Sequence, residues 1–102
     1  MWLDPQLAMI EIENICAGFE LADPENADYY RANLADALSR LKTLDSSFQT
    51  RLSACPKKDI VVSHQAYGYL CDAYGLTQVS ISGLQGEGDA SPSRIAEIVE
   101  LM

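Results

Sequence analysis

The chain holds one histidine, His64, within the stretch DIVVSHQAYGYLCDAYGL at residues 59–76. It stands where an apolar run, Ile60-Val61-Val62, gives way to an aromatic-rich amphipathic segment. A strand end that leads into a helix is where α/β proteins gather their ligands. An imidazole at such a place can bind a metal ion or accept a proton, but a lone histidine is also compatible with a purely structural role. The residues alone leave both interpretations open.

Catalysis by His64 lacks the partners that it needs. Ser63 is adjacent in sequence, so on a strand the two side chains point to opposite faces. No acidic residue is placed to orient the imidazole as a base. A small hydrolase is therefore the least favoured function, and the sequence predicts that the protein is not an enzyme.

A second candidate region is the glycine-rich loop GLQGEGDA at residues 83–90. Its acidic residues, Glu87 and Asp89, could lie near a ligand, although a solvated acidic loop is the simpler interpretation. The loop is not a phosphate-binding loop, because it lacks Lys or Ser/Thr at the required place and its acids would repel an anion.

The cysteines and tyrosines give weaker signals. Cys16, Cys55 and Cys71 form no CxxC pair, so neither a zinc knuckle nor a thioredoxin-type motif is present. We predict that these cysteines are buried or half-buried thiols. Tyr67 and Tyr74 lie on a predicted short helix, and we predict that they pack into the protein core rather than stack on a ligand.

Composition excludes several classes of function. With 102 residues, 48% hydrophobic and 22% charged, the chain has the makeup of one small globular domain rather than a disordered one. The net charge of −8 and the lack of any basic cluster longer than Lys57-Lys58 argue against nucleic-acid binding. No apolar run reaches the length of about 18 residues that a membrane span needs, and no signal-peptide pattern occurs.

An N-cap residue followed by proline predicts the start of a helix at three places, Asp4-Pro5, Asp23-Pro24 and Ser91-Pro92. The first of these predicts a helix over residues 5–20. Its apolar stripe consists of Ala8, Ile12, Ile15 and Phe19.

The second helix is predicted to be long, over residues 24–55, because apolar residues recur there at steps of three or four and neither glycine nor proline occurs from Glu25 to Cys55. A rod of about 45 Å exceeds what a small core can cover, so we expect it to bridge two lobes, with apolar surface exposed along it. A coiled coil is the rival interpretation, but regular charge pairs at the flanking heptad positions are lacking.

After Pro56 the pattern changes to strand, helix, strand, helix. DIVVS at 59–63 and LTQVSIS at 76–82 predict the strands, HQAYGYLCDAYG at 64–75 predicts a helix ending at Gly75, and a last helix starts at Pro92. The fold class is therefore α/β, with two parallel strands in a βαβα unit. Since two parallel strands do not make a stable sheet alone, we expect the chain to be a fragment.

Four segments in this order and spacing carry a resemblance: WLDP, LADPENADYYRANLADALSRL, VVSHQAYGYLCDAYGL and GLQGEGDASPSRIAEI. Together they resemble the solute-binding proteins of bacterial ABC transporters for zinc and manganese, over nearly the whole chain. The resemblance implies an internal fragment in which residues 1–22 are the terminal helix of the first lobe. It further implies that residues 23–56 form the interlobe connecting helix and that 57–102 begin the second lobe.

The resemblance also implies a site and a role. Such proteins hold zinc or manganese between the lobes through three histidines and an Asp or Glu, and the histidine of their S-H-x-A motif falls on His64. A second family histidine lies two residues before the Trp that matches Trp2, so it would precede Met1. Metal capture outside the cytoplasm, for an ABC permease in the membrane, is the implied function. An acidic structural or interaction module without metal is the alternative.

Overall fold

The computed structural model describes residues 3–63, 65–81 and 91–101. The chain divides into two compact units, Met1–Ala54 and Cys55–Met102. In chain order the elements are α1 (Pro5–Ala22), a 3₁₀ turn (Pro24–Asn26), α2 (Ala27–Ser53), β1 (Asp59–Val62), α3 (Gly68–Tyr74), β2 (Thr77–Ser80) and α4 (Pro92–Leu101). The predicted α/β class, with helices and a sheet of two parallel strands, is confirmed.

Helix α1 starts where the sequence predicts. The Asp4 side chain accepts hydrogen bonds from the backbone N–H groups of Gln6 and Leu7, at 2.8 and 3.4 Å, and Pro5 occupies the first helical position. These bonds satisfy amide groups that have no partner inside the helix. The helix ends at Ala22, two residues beyond the predicted end.

The predicted cap of the second helix is different. Asp23 is the C-cap of α1, with its N–H donating to the carbonyl of Phe19 at 2.8 Å. The residues after it form a 3₁₀ turn, and Asn26 is the N-cap residue of α2. The Asp23 carboxylate instead accepts hydrogen bonds from the side chains of Asn26 and Tyr30, both at 2.8 Å.

Helix α2 runs without a break over Ala27–Ser53, which confirms the predicted long helix and excludes a hairpin at Leu41. Its 27 residues span about 40 Å. Helix α1 packs along it, and Gln6 Nε2 donates to Asp45 Oδ2 at 3.4 Å. Leu44 of α2 is 44% exposed, in agreement with the expected apolar surface on this helix.

The second unit, Cys55–Met102, is called the α/β unit. Its two strands are parallel, with Asp59 opposite Thr77 and Val62 opposite Ser80. Both strands are shorter than predicted. Helix α3 ends at Gly75, whose φ of 63° is the left-handed C-cap conformation that the sequence predicts. Within the described residues, no helix is both long and apolar enough to cross a membrane.

Candidate metal site at the carboxyl edge of the strands

The carboxyl ends of β1 and β2 meet at one edge of the sheet, because the strands are parallel and in register. Just beyond the register, the N–H of Ile81 donates to the carbonyl of Val62 at 2.9 Å. Ile81, the residue after β2, is therefore bonded to the last residue of β1. This edge is the place where ligands bind in parallel α/β sheets.

The predicted metal ligand, His64, lies outside the described residues. Glu87 and Asp89, for which the sequence favours a solvated acidic loop, also lie outside them. The residues on either side of His64, Ser63 and Gln65, are both exposed. Whether His64 binds a metal stays a prediction.

The segment after His64 is not helical as far as Tyr67, contrary to the predicted start of the helix at residue 64. Helix α3 begins at Gly68, with Tyr67 as its N-cap residue. The Tyr67 N–H donates to Oε1 of Gln78 on β2, at 3.2 Å. A tertiary hydrogen bond thus replaces the missing first turn.

The tyrosines of this region have separate roles. Tyr74 on α3 is half-buried, in agreement with a packing role. Tyr67 is 39% exposed, so its predicted place in the core is wrong. The reason is that Tyr67 precedes the helix instead of lying on its inner face.

The cysteines offer no exposed thiol cluster. Cys16 and Cys71 are buried as predicted, whereas Cys55 is exposed, so the prediction for Cys55 is wrong. Cys55 lies in the connection after α2, where Pro56 follows. Burial raises the pKa of the Cys71 thiol, and burial together with the Glu20 carboxylate, 3.6 Å from Sγ, raises that of Cys16. Neither thiol therefore has the lowered pKa that marks a reactive cysteine.

In the first unit, Met1–Ala54, called the helical unit, two carboxylates have hydrogen-bond partners. Glu20 forms a two-pronged pair with Arg31, whose Nε and Nη2 donate to its two oxygens at 3.1 and 2.8 Å. These bonds lower the pKa of Glu20, and the hydrogen bonds from Asn26 and Tyr30 lower that of Asp23. Sequence reasoning missed this cluster, because residues 20 and 31 are too far apart for a helical spacing signal.

Metal ligands do not cluster elsewhere in the described part of the chain: residues 3–63, 65–81 and 91–101 contain no group of three or more His, Cys, Asp or Glu side chains able to hold an ion. The helical unit has surface grooves, which are lined by residues of α1 and α2. One, of 240 Å³, is lined mainly by apolar residues of α1 and α2, and another, of 630 Å³, lies along α2. Neither contains a residue of the strand edge.

Known proteins of one family match this chain over nearly its whole length. The family model described as zinc-uptake complex component A, periplasmic (ZnuA), matches residues 1–102. The high-affinity zinc uptake system protein ZnuA of Bacillus subtilis is 37% identical over 98 residues, which are 96% of this chain and 31% of that protein. The zinc-binding lipoprotein AdcA of Streptococcus pneumoniae is 34% identical over 100 residues, 98% of this chain and 20% of that protein.

Solved structures share the fold of this chain. The metal-dependent lipoprotein YcdH from Bacillus subtilis has a TM-score of 0.82 at 37% identity, covering 95% of this chain and 37% of that one. The Zn(II)-bound ZnuA-like domain of Streptococcus pneumoniae AdcA has a TM-score of 0.79 at 34% identity, covering 97% and 37%. The chain spans 31% or less of the length of the two curated relatives named above.

Proposed function

The chain belongs to the ZnuA family of periplasmic zinc-uptake proteins, and from this premise we propose that its protein captures a divalent transition-metal ion outside the cytoplasm. The ion is zinc, with manganese as the competing substrate, and it is handed to the permease of an ABC importer. The names of the relatives support zinc, since both are called zinc-binding or zinc-uptake proteins. The role is binding and delivery rather than catalysis.

His64 is the proposed ligand from this chain. The observation that carries the proposal is its place in the sequence, two residues after Val62 at the carboxyl end of β1, in a chain whose whole length matches the family. A neutral imidazole is a good donor for zinc and an acceptable one for manganese. A tight zinc site needs about four donors, and the described residues contain no group of three or more that could complete it beside His64.

The domain arrangement is part of the same proposal. Residues 1–22 close the first lobe, 23–56 connect the lobes, and 57–102 begin the second lobe. The uninterrupted α2 supports this assignment, because a continuous helix of 27 residues is a stiff connector.

A chimera tests the proposal directly. Residues 1–102 replace the segment that they match in the Bacillus subtilis zinc-uptake protein, so that the rest of that protein supplies the remaining ligands. We expect calorimetry to show tight binding of one zinc ion per chimera. The His64→Ala variant should lose more than about 100-fold in affinity, beyond the 10- to 100-fold typical of residues that only support a ligand.

The controls separate binding from folding. Gln65→Ala changes an exposed neighbour of His64 and should leave zinc affinity unchanged, while circular dichroism should be the same for all variants. An unchanged affinity in His64→Ala would show that His64 is structural. Growth of a zinc-uptake-deficient strain carrying the chimera, in medium starved of zinc or of manganese, then identifies the transported ion.

A further inference from the structure

We draw no further inference here: the strongest candidate, the apolar groove between α1 and α2 on which Ile15 and Phe19 are exposed, carries none because nothing in the structure shows what covers it.

Discussion

Side chains join α1 to α2 in the unit Met1–Ala54, whereas main-chain groups join β1 to β2 in the unit Cys55–Met102. In the first unit the contacts include the Glu20–Arg31 ion pair and the bond from Gln6 to Asp45. In the second, the N–H of Thr77 donates to the carbonyl of Lys58 at 2.9 Å, which extends the strand pairing at its amino end.

The difference shows which part of the molecule suits a metal site. Bonds between main-chain groups do not titrate and do not depend on side-chain rotamers, so they hold the strand edge in a fixed place. Carboxylate pairs between helices respond to pH and salt, and they suit a scaffold more than a site. The proposed ligand, His64, belongs to the unit Cys55–Met102, the one with the main-chain pairing.

The largest change in stability is expected from removing a buried side chain of the α/β unit. Ile98 of α4 is 8% exposed, while its neighbour Val99 is 68% exposed. Ile98→Ala should destabilise the protein by about 2 kcal/mol or more, because it removes buried methyl groups and leaves a cavity. The loss should be seen in denaturant melts and in faster hydrogen exchange of residues 59–80.

The matched control for Ile98 is Val99→Ala, which should shift the melt by less than about 0.5 kcal/mol. Exchange that quickens equally in α1 and α2 would break the comparison, since it would mean that the two units unfold together.

Capping of α1 should give an intermediate effect confined to the helical unit. Asp4→Ala removes the acceptor for the N–H groups of Gln6 and Leu7 and should cost about 1 kcal/mol. Asp4→Asn keeps an acceptor oxygen and should retain most of that stability. Exchange of the first-turn amides of α1 measures the loss, and an equal loss in both variants would rule out the cap as its cause.

Acid should weaken the helical unit more than the α/β unit. The pKa values of Glu20 and Asp23 are lowered in the fold, by Arg31 for the former and by Asn26 and Tyr30 for the latter. Their contribution is therefore complete above the unfolded values near pH 4 and is lost as pH falls through the lowered ones. Helical content, followed by circular dichroism between pH 6 and about 2, should fall in step with this loss.

Glu20→Gln sharpens the pH prediction, because it keeps the side-chain shape but removes the titrating charge. The stability of this variant should depend less on pH, whereas Glu13→Gln, an exposed position on the same helix, should behave like the unmodified chain. Added salt should also weaken the Glu20–Arg31 pair, since Arg31 is 60% exposed.

Local chemistry in the sequence was enough to predict much of the fold. Asp4-Pro5 specifies the start of α1, Gly75 the end of α3, and the absence of glycine and proline specifies the continuous α2. The order of strands and helices follows from the change of hydrophobic period after Pro56. Each of these signals depends on residues within a few positions of one another, which is why a single sequence reveals them.

The tertiary structure decided the features that join distant residues. Asp23 binds Asn26 and Tyr30 instead of capping α2 with its side chain. Likewise, α3 starts at Gly68, and the amide of Tyr67 before it donates to the side chain of Gln78, eleven positions away. His64 is visible in sequence because its type and its place after a strand are local facts, whereas Gln78 is not, because its partner is set by strand pairing and no periodic pattern records that contact.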